Sequence, residues 1–197
     1  MRKILISLLL IGLSFNAGYA QSTLEISLSH NSEKELRTRQ KLESLLKEYK
    51  LGKWIFTKKV IINEQERIPH SHPVLTLTTG DVDRDSSFLL TSFIHEQIHW
   101  FAVANFKQTE KAKEELKTLF PDAPAGPPDG ARDQDSTYLH LIICYLEYEG
   151  MKELVGQEKA KETIQVLSQY FYKWIYRTVL NDGAKIKSVI KKYHLKI

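Results

Sequence analysis

Residues 32–49 have the spacing of apolar and charged positions that is typical of an amphipathic helix. Ser32, followed three residues later by Glu35, has the form of a capping box, which marks a helix start. The leucines on or near one stripe of this helix are Leu36, Leu42, Leu45 and Leu46. We therefore expect a surface helix whose leucine stripe lies on the core.

Two short segments alternate β-branched and polar residues with the period of strands. They are KWIFTKKVII, residues 53–62, and HPVLTLTT, residues 72–79, and a polar stretch over residues 63–68 connects them. This arrangement predicts a small antiparallel sheet.

The next segment with a helical period is FLLTSFIHEQIHWFAVANF, residues 88–106, which follows a turn rich in helix-capping residues. A charged helical stretch continues to Phe120. The segment PDAPAGPPDGARDQD, residues 121–135, is rich in Pro, Gly and Asp and predicts a long loop without regular structure.

The helix that opens at Ser136 is apolar nearly all round between Tyr138 and Leu146, which predicts a central buried element. Two further helices are expected over residues 158–180 and 184–195, separated by a turn at Asn181 to Gly183. These elements together indicate an α+β fold that is mostly helical.

The first twenty residues have the pattern of a secretory signal peptide. Two basic residues follow the initial Met, an apolar run covers residues 4–15, and small residues stand at Gly18 and Ala20. The apolar run is too short to be a comfortable permanent membrane span, and no second one follows. We expect cleavage near Ala20 and export to the periplasm or the medium, with residues 21–197 as a single domain.

The charge and the cysteine content restrict which binding partners are expected and which interactions can stabilise the fold. The chain has 28 Lys and Arg against 24 Asp and Glu, a formal charge of +4, and its lysines are interleaved with glutamates. Nucleic acid is therefore not an expected partner. Cys144 is the single cysteine, so no intramolecular disulfide can form and stability must come from packing or from a metal.

The strongest chemical signal is HEQIH on the helix predicted over residues 88–106. Residues four apart share a helix face, so His95 and His99 can present two imidazole nitrogens to one ion. Glu96 lies beside them, aimed at a water on that metal. We therefore expect a Zn²⁺ site.

The alternative to a metal site is a solvated face of histidine and glutamate. The neighbours of HEQIH on the helix argue against a solvated face, because Phe93, Trp100 and Phe101 indicate burial. Burying two histidines and a glutamate without a partner would be costly.

A catalytic zinc usually takes three protein ligands, and the buried helix offers the third. His140, Cys144 and Glu147 fall on one stripe of it. We favour His140, since an imidazole among apolar residues needs a metal or a hydrogen-bond partner. Glu147 is the alternative ligand, or the acceptor that orients a ligand histidine. Cys144 is more typical of a buried small apolar residue.

Other candidate residues have weaker support. His70 and His72 could contact substrate or a second ion, or belong to an ordinary loop. Tyr172, Trp174 and Tyr176 could reach a cleft, or pack in the core. A tyrosine hydroxyl can stabilise the oxyanion formed in metalloprotease reactions, and Tyr176 is the candidate for that role.

These motifs resemble the zincin metallopeptidases. HEQIH resembles their active helix, HPVLTLTT is placed like their edge strand, and the likeness covers roughly residues 73–150. The resemblance implies zinc held by His95 and His99 and Glu96 as general base. It also implies a peptide substrate that lies along the edge strand by β-addition.

Two departures restrict the resemblance. Ala102 and Asn105 stand where the extended metzincin motif requires Gly and His, which excludes that branch. The segment that carries the third ligand in many gluzincins has no match. The site is therefore expected to be gluzincin-like, or an atypical set of three histidines.

The expected function is that of an exported zinc-dependent hydrolase, most simply a metallopeptidase in which Glu96 acts on a zinc-held water. Its substrate would be a peptide or protein, with cell-wall peptide as one option. The alternative is an exported zinc-binding interaction protein whose metal is structural or whose activity is lost. Glu96 argues against this alternative, because a purely structural site has no use for a base.

Overall fold

The computed structural model describes residues 24–197, in which six α-helices accompany a three-stranded sheet. The strands are β1 (Glu25–Leu28), β2 (Lys59–Ile62) and β3 (Leu75–Leu77), and a short 3-10 helix covers Gly52–Trp54. The helices are α1 (Glu33–Glu48), α2 (Ser86–Ala104), α3 (Phe106–Leu119), α4 (Gln134–Val155), α5 (Gln157–Leu167) and α6 (Lys173–Lys192). The expected mostly helical α+β class is confirmed. The predicted signal peptide lies outside the described residues.

The sheet is parallel, so the antiparallel sheet expected from the sequence was wrong. Lys59 of β2 lies beside Glu25, and Val60 lies beside Leu75, with all strands running the same way. Parallel neighbours need a connection of about a dozen residues or more, whereas antiparallel ones can be joined by a tight turn. The connection over residues 63–74 is long enough to bring the chain back to the end of the sheet where β2 begins, so β3 can run parallel to β2. Alternation along a strand reports its buried face and not the direction of its neighbour.

Helix α1 begins as predicted, but only half of the expected capping box forms. The Ser32 hydroxyl accepts a hydrogen bond from the Glu35 backbone N–H. The Glu35 carboxylate is fully buried and accepts instead from the backbone N–H groups of His30 at 2.8 Å and Glu64 at 3.1 Å. Glu35 thereby joins the start of α1 to the chain that follows β2.

The C-terminal helices are divided at a different place from the one predicted. The structure has a break after α5, inside the helix expected over residues 158–180. At the turn expected over residues 181–183, α6 continues, and only Asp182 leaves helical backbone angles. The glycine that suggested a helix end there is accommodated within a kinked helix.

Tertiary contacts explain the break between α5 and α6. Tyr172 has a left-handed backbone conformation with φ of 55°, which is uncommon for a residue other than glycine. The next two backbone N–H groups, of Lys173 and Trp174, donate to the carbonyls of Pro128 and Asp129. The loop before α4 thus holds the start of α6, and no local sequence pattern reports such a contact.

Helix α4 is the central element, as its apolar sequence predicted. It packs against α2, α3, α5 and α6, and the buried apolar side chains of helices and strands form one cluster. Gln97 of α2 is fully buried, and its side-chain Oε1 accepts from the backbone N–H of Phe56 at 2.7 Å and Thr57 at 2.9 Å. These bonds set the position of the HEQIH helix against the chain that leads into β2.

Within residues 24–197, none of the helices combines the length and apolar character that crossing a bilayer requires.

Candidate metal centre

Three histidines from two helices form one cluster. Helix α2 contributes His95 and His99, and α4 contributes His140; their ligand atoms lie within 4.8 Å of one another. The ring of His140 lies 5.6 Å from that of His95 and 5.1 Å from that of His99, between centroids. The residue favoured as third ligand therefore lies beside the two histidines of the motif.

The spacing of the imidazole nitrogens fits a zinc ion. The Nε2 atoms of His95 and His99 are 3.3 Å apart. Two nitrogens that each lie about 2.0–2.1 Å from zinc at a tetrahedral angle are separated by about 3.3–3.4 Å. The two motif side chains are thus already at the separation that a shared ion requires.

Hydrogen bonds to the other ring nitrogen leave Nε2 available in two of the three rings. The Nδ1–H of His95 donates to Glu147 Oε2 at 2.6 Å. The Nδ1–H of His140 donates to the Ser136 carbonyl at 2.7 Å. When either ring is neutral, its remaining nitrogen carries a free lone pair, so Nε2 is the atom that could bind a metal in both rings.

Burial keeps two of the rings neutral. Burial, followed by the charge of the neighbouring His95, lowers the pKa of His140 to about 4. Burial, followed by the charges of His95 and His140, lowers the pKa of His99 well below its ordinary range. Burial opposes protonation of His95 as well, but the hydrogen bond and charge of Glu147 outweigh it and raise its pKa. Neutral imidazole is the form that binds metal.

Glu147 lies behind His95 and not among the three Nε2 atoms. Its carboxylate is fully buried and accepts from His95 Nδ1 and from the Tyr176 hydroxyl at 3.2 Å. This is the arrangement in which a carboxylate orients a ligand histidine. The geometry favours that role for Glu147 over the alternative of a third ligand.

Cys144 lies next to Glu147 and His95, and the three could in principle form a second metal group. The 2.6 Å separation of His95 and Glu147 is that of a hydrogen bond, shorter than the about 3.3 Å expected between two zinc ligands. Burial raises the pKa of the Cys144 thiol well above its ordinary value. The thiol is therefore a buried apolar neighbour of the site, as its sequence context indicated.

Glu96 follows His95 on α2 and lines the floor of a cleft. The residue is 6 % exposed, and its carboxylate accepts no hydrogen bond from any residue that the structure describes. Burial raises the pKa of the carboxyl, against the opposing effects of His95 and His70. A carboxylate without a protein partner is free to accept a proton from a molecule in the cleft.

The cleft itself has a volume of about 500 Å³, and of the three clustered histidines it is His95 that lines it. Its floor includes His95 and Glu96 of α2, and its walls come from the chain before β3, the loop before α4 and the break before α6. The side chains on the walls include Arg67, Ile68, Pro69, Pro127, Ala131, Arg132, Phe171 and Tyr172. None of these except Tyr172 carried a sequence signal for function.

A glycine is the sequence signal for one part of the cleft wall. Gly130 stands in the Pro-rich loop, and a Cβ there would lie 2.5 Å from the Pro124 carbonyl oxygen and 2.6 Å from the Thr137 hydroxyl. Only glycine permits this close approach. Gly130 therefore stands where this loop folds back against its own chain and the start of α4.

Tyr176, the tyrosine predicted to stabilise an oxyanion, lines the cleft, but its hydroxyl already has a partner. The residue is 2 % exposed, and its hydroxyl donates to Glu147. Tyr172 is better placed, with its ring 4.7 Å from the His140 ring and 6.1 Å from the His95 ring. Its hydroxyl has no hydrogen-bond partner among the described residues. Trp174 packs against Phe120 instead.

His70 and His72 belong to the loop before β3, and neither is part of a metal group within the described part of the chain. The ring of His72 stacks on Trp100 at 4.3 Å. The backbone N–H and carbonyl of His70 pair with Thr76 at 3.0 and 2.7 Å. The outer edge of β3 is therefore already occupied at Thr76, and a peptide could add to it there only by displacing this pairing.

Comparison of the chain with protein-family models, with curated proteins and with solved structures found no match.

Proposed function

We propose that this protein is a zinc-dependent hydrolase of zincin type that cleaves peptide bonds. The observation that carries the proposal is that three imidazoles lie together and that one of them, His95, borders a cleft beside the unpartnered Glu96. Zinc would be held by His95, His99 and His140. We further propose that it acts outside the cytoplasm, because residues 1–20 have the pattern of a signal peptide.

Zinc, when bound, supplies Lewis acidity that makes a water more acidic and a carbonyl more electrophilic. Glu96 accepts a proton as the water oxygen attacks the carbonyl carbon, and it returns that proton to the leaving amine as the C–N bond breaks. The Tyr172 hydroxyl donates a hydrogen bond to the oxygen on which negative charge develops. Glu147, held by Tyr176, keeps the His95 ring in its binding tautomer and orientation.

The alternative of a structural zinc has less support in the geometry. Structural zinc sites are usually closed by four protein ligands, whereas catalytic sites keep a position open. Among the described residues the histidine cluster has three members. The cleft next to it reaches His95 and Glu96. A substrate-sized space at the site favours an enzyme.

The first test combines metal analysis with a search for cleavage. Purified protein supplemented with zinc is expected to retain about one zinc per chain by plasma mass spectrometry. Incubation with a complex peptide mixture should yield new termini in mass spectra, and a chelator should stop their formation until zinc is restored. Occupancy well under one half would contradict the zinc site. Full occupancy without any chelator-sensitive cleavage would favour the interaction protein instead.

The assignment of Tyr172 is tested by removing one oxygen. Tyr172→Phe is expected to lower kcat by about 10²-fold, the usual loss for one oxyanion donor, and to leave zinc content unchanged. Tyr170→Phe is the matched control, because Tyr170 lies two residues away and is 65 % exposed. Steady-state kinetics on one cleaved peptide would measure all variants. A kcat for Tyr172→Phe equal to that of the control would rule out the role, as would a larger loss in kcat for Tyr176→Phe.

A further inference from the structure

The charges on the cleft walls are of one sign. Arg67 and Arg132 both line the cleft. The acidic side chains among its described lining residues are Glu96 and Glu147, which already have roles at the metal centre. A substrate that enters the cleft therefore meets positive charge on the walls, contributed by two separate segments of the chain.

The two arginines differ in whether an acidic partner already binds them. The guanidinium of Arg132 pairs with Asp133 at 3.0 Å. Arg67 is exposed and forms no ion pair or hydrogen bond with any residue that the structure describes. An arginine presents a planar set of N–H donors that matches a carboxylate. Arg67 is the one of the two whose donors are free for a substrate.

Large apolar side chains lie beside these charges. Ile68, next to Arg67, is 75 % exposed, and Phe171, next to Tyr172, is 43 % exposed. Both line the cleft. Apolar side chains grouped at a concave site are typical of ligand recognition, whereas single ones scattered over a surface are not.

We propose, building on the proposed function, that the cleft selects peptides that carry a carboxylate close to the cleaved bond together with an apolar side chain. Arg67 binds the carboxylate, and Ile68 and Phe171 contact the apolar group. Arg132 contributes less, because Asp133 competes for its donors. The carboxylate is either that of an acidic side chain or the C-terminal group of the peptide.

Matched peptide pairs test this selectivity and separate the two sources. One pair differs only in Glu against Gln beside the cleaved bond, and a second differs only in a free against an amidated C-terminus. The unmodified protein is expected to have a kcat/KM about tenfold higher for the acidic member of one pair, as for a single charge-assisted contact at an exposed site. The pair that shows the preference identifies the source of the carboxylate.

Variants then assign the preference to a residue. Arg67→Gln is expected to bring the acidic-to-neutral ratio of kcat/KM close to one, and Arg67→Glu to reverse it. Arg177→Gln is the matched control, because Arg177 is exposed and lies outside the lining of this cleft. The control should keep the full ratio. Equal rates on both members of both pairs, or a ratio unchanged in Arg67→Gln, would overturn the proposal.

Binding measurements distinguish a failure of the proposed selectivity from a failure of the proposed function. The same labelled pairs are titrated into the Glu96→Gln protein, in which turnover is prevented, and fluorescence anisotropy gives their affinities. A failure of the proposed function would appear as no cleavage of any peptide. A failure of this inference would appear as equal affinity for the two members of each pair, whatever the hydrolysis assay shows.

Discussion

Glu96→Gln is expected to lower kcat by about 10²- to 10⁴-fold, the usual contribution of a positioned general base, while the protein keeps its zinc and its fold. The amide has nearly the same shape as the carboxylate but cannot accept the proton. Glu96 has no hydrogen-bond partner among the described residues. The substitution therefore breaks no internal contact that would confuse loss of structure with loss of chemistry.

The measurement is steady-state hydrolysis of a cleaved peptide, with zinc content and circular dichroism recorded on the same samples. Glu158→Gln, on the exposed first turn of α5, is the control for loss of one negative charge. It should retain full activity. Activity of Glu96→Gln within a few-fold of that of the control would show that another group removes the proton.

His140→Ala is expected to lower zinc affinity far more than Glu147→Gln. His140 contributes one of three nitrogens in the cluster, so its loss leaves two ligands on one helix face. Glu147 would act on a bound zinc only through its hydrogen bond to His95. Loss of such an orienting partner typically costs about 10- to 100-fold in affinity. The glutamine variant also keeps an oxygen that can accept from the His95 Nδ1–H.

Both affinities are measured in competition with one chelator, after circular dichroism has shown that each variant is folded. His194→Ala, beyond the end of α6, is the control for removal of a histidine outside the cluster. Its affinity should match that of the unmodified protein. A larger loss for Glu147→Gln than for His140→Ala would make Glu147 the ligand, with His140 in a packing role and the site gluzincin-like.

The sequence alone determined the parts of the site that depend on helix geometry. Residues four apart lie on one face of any α-helix, so the shared position of His95 and His99 did not depend on the rest of the fold. The burial of α4 could also be predicted, because a segment that is apolar nearly all round has no face for water. These signals are local and belong to a single element.

The strand directions and the position of the α5–α6 break were decided by contacts between distant segments. The periodicity of a strand is the same whichever way its neighbour runs, so β2 and β3 could not be assigned as parallel from their residues. The backbone of Lys173 and Trp174 binds carbonyls of the loop before α4. That pairing ends the helical run at a tyrosine which has no helix-breaking property of its own.

The positions of His140 and Glu147 around the His95 ring were likewise decided only by the packing of α4 against α2. The two residues share a stripe, but seven residues rise by about 10.5 Å along a helix. They therefore meet the His95 ring on different sides, with Glu147 at Nδ1 and His140 near the ring edge that faces His99. The sequence of α4 determines that His140 and Glu147 share a helix face. Which of the two lies opposite a given atom of His95 depends on where α2 crosses α4, and packing between side chains of several elements decides that crossing point.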